Sequence, residues 1–163
     1  MTRLIILAAL CAGFTLGLTA PAWAGFDEGF AAYQRGDYAT ALREWHPLAE
    51  QGNAGAQYNL GVMYDKGEGV TQDNAEAVKW YRKAAEQGDA EAQYNLGLMY
   101  RNGLGVPQDY VQAHMWYNLA ASRLSPGGDR DRAAKNRGIV AIWMTPAQIS
   151  EAKKLAREWK PKK

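Results

Sequence analysis

Apolar side chains recur with helical spacing through the middle of the chain. Ala56, Leu60, Met63 and Tyr64 lie at positions i, i+4, i+7 and i+8, so they share one face of a helix. A second apolar stripe follows within residues 77–84, after a loop that contains two glycines. Two such stripes separated by a short loop predict a pair of antiparallel helices.

The same pair of stripes returns 36 residues further along the chain. Residues 54–89 and 90–125 are identical at 19 of 36 aligned positions. Repeats with a period of about 20–50 residues are typical of solenoids, in which each unit buries its apolar face on its neighbours. An upstream segment, residues 26–52, is a degenerate copy, with Gly52 placed 36 residues before Gly88. We therefore predict an all-α fold, an α-solenoid of stacked antiparallel helix pairs.

The segment after the second repeat departs from the pattern. A linker at 126–128 is followed by a predicted helix from about 129 to 143, and Thr145 and Gln148 have the spacing of a capping box. A solenoid needs a terminal unit with a polar outer face, and this segment suits that role. The predicted layout is a signal peptide at 1–24 and one domain at 25–160, made of a degenerate pair at 25–52, repeats at 53–88 and 89–124 and a capping helix pair at 129–160, with a basic tail at 161–163.

Eight residues are interpreted as structural elements of the repeats. Two glycines in each loop supply the positive φ values that a tight reversal needs. An aspartate then begins the second helix, in a capping-box arrangement with the side chain three residues on. A glycine inside each first helix costs about 1 kcal/mol against alanine, which close approach of the second helix would explain. These residues are Gly61, Gly67, Gly69 and Asp73 in the first repeat, and Gly97, Gly103, Gly105 and Asp109 in the second.

The N-terminus has the three parts of a secretory signal peptide. Arg3 precedes an apolar run from Leu4 to Leu18, and Ala22-Trp23-Ala24 supplies the small residues of a cleavage site. The run is about 15 residues, fewer than the roughly 20 of a spanning helix. Cleavage after this triplet would remove Cys11, the single cysteine. We therefore predict an exported protein, periplasmic or secreted, held together by packing without disulfides; an uncleaved N-terminal anchor is the alternative.

Charge is distributed unevenly along the chain. Residues 26–122 carry 7 Lys/Arg against 13 Asp/Glu, whereas residues 123–163 carry 11 against 4. A basic C-terminal segment is either a solvated capping face or a surface for an anionic partner. An anionic-surface or polyanion binder is therefore the alternative function.

The repeats share the string A-x-A-Q-Y-N-L-G-x-M-Y-x-x-G-x-G-V-x-Q-D, followed by A-x-x-W-Y-x-x-A-A. This string resembles the Sel1-like repeat family, whose members are related to tetratricopeptide repeats. The resemblance implies a scaffold or adaptor that binds a protein or peptide. Some exported relatives are cysteine-rich and have been discussed as penicillin-binding or β-lactam-hydrolysing proteins. A penicillin-interacting hydrolase is a further alternative by that analogy, although this chain lacks their disulfide pattern.

Few residues of the chain suit catalysis. Ser150 and Lys153 have the S-x-x-K spacing of serine β-lactamases, but the S-D-N and K-T-G elements of those enzymes are missing from the sequence. His46 and His114 lie on predicted helical stripes and are interpreted as partly buried packing residues. We predict no enzymatic activity, no cofactor and no metal site, and we expect no nucleic-acid partner.

The candidate binding site is a groove on the first helices. First helices line the concave side in stacked helix pairs, and an asparagine there can both donate to and accept from an extended peptide. An ordinary solvated face without a ligand is the alternative. The candidate groove residues are Asn59, Val62 and Lys66 in the first repeat, and Glu91, Asn95, Leu98 and Asn102 in the second.

Overall fold

A computed structural model describes residues 22–162, and the regular structure in that range is entirely helical. The first and second helices of the first three pairs pack against each other, and each second helix also packs on the first helix that follows it. This arrangement confirms the predicted α-solenoid. The helices are α1 (Ala22–Gln34), α2 (Tyr38–Glu50), α3 (Ala54–Lys66), α4 (Asn74–Gln87), α5 (Ala90–Asn102), α6 (Tyr110–Arg123), α7 (Gly128–Ala141) and α8 (Pro146–Glu158).

Aspartate side chains begin the second helices of both repeats. Asp73 Oδ1 accepts from two backbone N–H groups in the first turn of α4, at 2.8 and 3.1 Å. Asp109 accepts in the same way at the start of α6, at 3.0 Å. The carboxylate of Glu76, which a capping box would turn back towards the cap, instead accepts from Lys79 Nζ at 3.1 and 3.2 Å. Because the half-buried Glu76 side chain is within reach of a lysine one turn on, the ion pair replaces the second half of the box.

The two glycines of each loop have different structural roles. Gly67 ends α3 in the left-handed conformation with φ 72°, and its counterpart ends α5 with φ 69°. The second glycine lies against the preceding helix pair: a Cβ on Gly69 would stand 2.6 Å from the Cβ of Tyr38, and Gly105 lies against the backbone of Asn74. The loop therefore both reverses the chain and lets consecutive pairs approach closely.

The glycines inside the first helices lie against tyrosines of the second helices. A Cβ on Gly61 would stand 2.5 Å from the ring of Tyr81, and one on Gly97 would stand 2.8 Å from the ring of Tyr117. Both tyrosines are buried. The free energy lost by placing glycine in a helix is therefore offset by close packing of a large aromatic side chain.

A buried glutamine joins each helix pair to the one before it. Gln57 in α3 donates from Nε2 to the carbonyl oxygen of Ala49 at 2.9 Å, and Gln93 in α5 donates to that of Ala85 at 3.0 Å. Both glutamines belong to the repeated string, and both acceptors lie near the end of the preceding second helix. A polar group is thus buried with a partner at each boundary between pairs.

The two helices of the predicted C-terminal capping pair pack differently from the helices of the repeats. The two last helices, α7 and α8, each pack on α6 rather than forming a pair with each other. Residues 113–117 of α6 are all buried, and a helix that is apolar all round must be covered on several sides. In contrast, α7 buries only Ala133 and Val140, too little apolar surface to support a partner of its own.

The predicted signal peptide lies outside the described residues, apart from 22–24, which form the first turn of α1. At the other end, Lys162 in the predicted basic tail returns to α4, where its Nζ stands 2.8 Å from Glu86 Oε2. Within the range 22–162, no helix is long and apolar enough to cross a membrane.

Candidate functional site

An open, largely aromatic cavity of about 230 Å³ lies between α1 and α3. Its walls come from the first helices of two consecutive pairs, and its floor comes from α2. Phe30 on the rim is 48% exposed, an unusual state for so large an apolar side chain. The lining residues are Phe30, Tyr33, Trp45, Tyr58, Asn59, Val62 and Lys66.

The floor of the cavity is fixed by packing of Trp45. This buried indole occupies the space left by the missing side chain of Gly29, and its Nε1 donates to the carbonyl oxygen of Phe26 at 3.1 Å. The Tyr33 ring stands 5.6 Å from the Trp45 ring, centroid to centroid. The cavity floor is therefore rigid, because it is held by a hydrogen bond and by aromatic packing.

Polar groups on the rim are already oriented by neighbouring side chains. The Tyr33 hydroxyl donates to Glu68 Oε2 at 2.5 Å, and Lys66 Nζ stands 3.9 Å from Glu68 Oε1. Burial, and secondly the hydrogen bond to Glu68, raise the pKa of Tyr33, so the hydroxyl remains a donor at neutral pH. The long, exposed ion pair holds Lys66 only weakly, which leaves its ammonium group accessible to a ligand.

Three of the seven candidate groove residues come together in this cavity: Asn59, Val62 and Lys66. The four from the second repeat lie elsewhere. Leu98 packs against a cluster around Tyr117 and Val140, so it belongs to the interior between α5, α6 and α7.

Asn95, also expected in the groove, contacts the first repeat instead. Burial raises the pKa values of the Tyr58 and Tyr81 hydroxyls, and the nearby Asn95 amide opposes part of each rise. The amide therefore lies beside the previous pair. Asn102 lies exposed at the end of α5.

Glu91 lines a second cavity, of about 300 Å³, with residues 124–129. Burial, followed by the charges of Asp129 and Asp89, raises the pKa of Glu91. The candidate groove residues of the two repeats therefore line different surfaces: those of the first repeat lie in the cavity beside α1, and Glu91 of the second lies beside the segment before α7.

Sequence reasoning missed the aromatic half of the site: Phe30, Tyr33, Trp45 and Tyr58. The signal was available in the spacing of the first pair. The first helices α1 and α3 end at residues 34 and 66, an offset of 32, whereas the second helices α2 and α4 begin at 38 and 74, an offset of 36. An alignment that allows a four-residue deletion in the first loop matches Gly29 with Gly61 and Phe30 with Val62.

The residues considered for chemistry lie apart from both cavities. Ser150 and Lys153 are exposed on α8. His114 is buried as predicted, but His46 is exposed because its position on α2 faces outwards; its ring centroid stands 6.0 Å from that of Trp80 in an edge-on arrangement. Among the described residues, no group of three His, Cys, Asp or Glu side chains is placed to hold a metal ion.

Stacked helix pairs with an open cavity between two first helices define an α-solenoid. The family model of the Sel1 repeat matches residues 54–89 and 90–123. The chain belongs to the Sel1 repeat family. Repeats of this family generally mediate interactions between proteins.

Two crystal structures share the fold. A protective antigen of uropathogenic Escherichia coli strains, with an SLR fold, is 33% identical with a TM-score of 0.78; the match covers 86% of this chain and 30% of that one. A Sel1 repeat protein from Oxalobacter formigenes is 35% identical with a TM-score of 0.63, over 72% of this chain and 88% of that one.

A curated relative is the exopolysaccharide production negative regulator of Rhizobium leguminosarum bv. viciae. It is 41% identical over 51 residues, which cover 31% of this chain and 19% of the regulator. The chain thus matches about a fifth of the regulator and less than a third of the antigen.

Proposed function

We propose that the protein is an exported, non-catalytic adaptor that binds an extended segment of a partner protein at the cavity between α1 and α3. The observation that carries this proposal is the half-exposed Phe30 at the rim of an aromatic cavity whose floor is rigid. Exposed aromatic side chains beside a preformed depression are typical of the energetic centre of a protein interface.

The size of the cavity favours a peptide side chain as its occupant. Pockets for drug-sized ligands measure roughly 300–1,000 Å³, whereas this one measures about 230 Å³ and is open to solvent. One apolar side chain of a partner fits such a volume, with the remainder of the segment lying across the first helices.

Asn59 and Lys66 supply polar recognition beside the apolar floor. The Asn59 amide can donate to and accept from the backbone of an extended segment, which fixes its direction. Lys66, held only by the weak pair with Glu68, can bind a carbonyl or carboxylate oxygen of the same segment.

The lining also supports binding rather than catalysis. None of the seven lining residues is a serine, cysteine, histidine, aspartate or glutamate. The polar groups of this aromatic depression are one amide, one ammonium group and a tyrosine hydroxyl bound to Glu68, a set that suits holding a ligand.

Export is supported by the tripartite N-terminus described above. Cleavage after Ala24 would leave a chain that begins at Gly25, inside the first turn of α1. Intact-mass measurement of the protein from its producing cell tests this directly, since retention of Met1 or a lipid on Cys11 would contradict it.

The binding proposal is tested with peptides selected from a displayed random library on the purified protein. Phe30→Ser should weaken binding of the selected peptides by about tenfold or more, because it removes an apolar contact at the centre of the interface. Leu104→Ser is the matched control: Leu104 is 40% exposed but lies in the loop between α5 and α6. Equal losses in both variants, or none in either, would move the site away from α1 and α3.

A further inference from the structure

The C-terminal part of the chain carries a surface whose charge is opposite to that of the rest. Residues 123–163 have an excess of seven basic residues (11 against 4), whereas residues 26–122 have an excess of six acidic ones (13 against 7). This concentration of cations coincides with the two helices, α7 and α8, that lie outside the repeated pattern. The cavity between α1 and α3 lies outside this basic segment.

Two adjacent apolar side chains project from the turn between α7 and α8. Ile142 is 78% exposed and Trp143 is 53% exposed. They are held outwards because the next residue, Met144, is buried and Thr145 caps α8 with reciprocal bonds to Gln148. A fixed turn that presents an isoleucine and a tryptophan to solvent exposes apolar surface that the fold itself does not use.

Trp143 is oriented by its neighbours. Its ring stands 5.4 Å from that of Tyr110, and the guanidinium carbon of Arg101 lies 5.9 Å from the ring centroid. An indole with one face packed, the other exposed and a cation beside it has the amphipathic character of side chains that occupy a membrane–water interface.

The exposed side of α8 carries basic residues. Its apolar side chains pack on α6, which turns Lys153, Lys154 and Arg157 to solvent, with Lys160 just beyond the helix. Two carboxylates lie on the same helix: Glu151, and Glu158, which stands 4.0 Å from Lys154. Cations exceed carboxylates on this helix, so the exposed side remains positive.

We propose that these six residues form one docking surface for an anionic phospholipid bilayer: Ile142, Trp143, Lys153, Lys154, Arg157 and Lys160. Ile142 and Trp143 enter the headgroup region, and the lysines and arginine lie against lipid phosphates. Two weak signals, a small apolar insertion and a cluster of cations, together give stable but reversible attachment to a membrane surface. A nucleic-acid partner would use the cations but would leave the exposed isoleucine without an apolar contact.

Sedimentation with lipid vesicles tests the proposal. Protein purified from its producing cell, with its N-terminus established by mass, is mixed with vesicles of phosphatidylcholine alone or of equal parts phosphatidylglycerol and phosphatidylcholine. The N-terminus is the same in every variant, so differences between variants come from the substituted positions. We expect binding at least about fivefold stronger to the anionic vesicles, and lower as NaCl rises from about 0.1 M to about 0.5 M.

The variants distinguish the apolar and the basic contributions of this surface from the effect of the protein's net charge. Ile142→Ser, at a side chain with little packing to lose, and the triple variant K153E/K154E/R157E should each reduce anionic binding at least about threefold. The matched control R35E/R43E/K79E makes the same change of net charge at three exposed positions of the N-terminal half and should retain wild-type binding.

Four results would overturn the proposal. The first is that the wild-type protein binds neutral and anionic vesicles equally. The second is that the charge-reversed control loses as much anionic binding as the triple variant of α8. The third is that Ile142→Ser binds anionic vesicles as the wild type does, and the fourth is that it changes self-association of the protein instead of vesicle binding. None of these results bears on the peptide cavity between α1 and α3, so the two proposals fail separately.

Discussion

At the scale of single residues, the contact between a helix glycine and an aromatic ring recurs in all three pairs. Gly61 lies against Tyr81, Gly97 against Tyr117, and in the first pair Gly29 lies against Trp45. The chemical identity of the ring changes while the space remains, so the contact is a requirement of how the two helices of a pair approach each other.

Gly97→Val should therefore lower the free energy of unfolding by about 1–3 kcal/mol, since its branched side chain would overlap the Tyr117 ring. Gly138→Val is the control: it lies in α7, and nothing stands within 4 Å of its added Cβ. Urea denaturation followed by circular dichroism measures both. A Gly97→Val protein as stable as Gly138→Val would contradict the close-contact account.

His114 should make stability depend on pH. Burial, then the nearby cations Arg137 and Lys153, lower the pKa of the buried imidazole from its usual 6.5. The unfolded chain therefore takes up a proton at higher pH than the folded one does. Stability is fully present above pH 6.5 and is lost as the pH falls from there towards the lowered folded pKa. Thermal melts between pH 5 and 7.5 should show a shallower loss for His114→Gln; parallel curves for the two proteins would contradict this role.

Asn59 and Asn95 occupy the same position of the two repeats but should respond differently to mutation. Asn59→Ala should weaken binding of the selected peptides and leave stability nearly unchanged, because its amide faces the cavity. Asn95→Ala should lower the free energy of unfolding by about 1 kcal/mol, since its half-buried amide stands beside the tyrosine hydroxyls of the previous pair. Isothermal titration measures the peptide affinity of both variants, and urea denaturation measures their stability. Equal changes of affinity and of stability in the two variants would contradict the difference between the two positions.

At the scale of elements, the sequence alone predicts the helix pairs of the two repeats, but not the alignment of the first pair or the packing of the last two helices. The pairs α3–α4 and α5–α6 follow from the 36-residue period, with loops and caps in the predicted places. The first pair has the same glycine–aromatic contact but a loop that is four residues shorter than those of the repeats. An ungapped alignment with a 36-residue period therefore does not match Phe30 with Val62. The packing of α7 and α8 on α6 depends on burial around α6, which periodicity along one helix does not reveal.

The glutamines of the repeated string join the elements, and their contribution is measurable. Gln93→Ala removes a buried bond to the carbonyl oxygen of Ala85 and should lower the free energy of unfolding by about 1 kcal/mol. Gln108→Ala is the matched control, because Gln108 Nε2 donates to the carbonyl oxygen of Arg101 at 2.8 Å in an exposed loop. Its effect should be within about 0.5 kcal/mol. A loss as large in Gln108→Ala as in Gln93→Ala would mean that burial of the bond does not matter.

At the scale of the whole molecule, the solenoid separates two surfaces. Successive core clusters lie at the boundaries between pairs, so each pair depends on its neighbours and no single centre organises the chain. The aromatic cavity lies at the first of these boundaries, and the basic helices lie at the last. A protein built in this way can hold a partner at one end while the other end contacts a different surface.

Site-specific photo-crosslinking in the producing cell tests whether a partner protein binds between α1 and α3. A benzophenone amino acid replaces Phe30 in one variant and Leu104 in another, both at exposed apolar positions. A partner bound in the cavity gives a light-dependent adduct from position 30 and none from position 104. An adduct from position 104 alone would contradict it, because the partner would then contact the loop between α5 and α6 and leave the cavity empty.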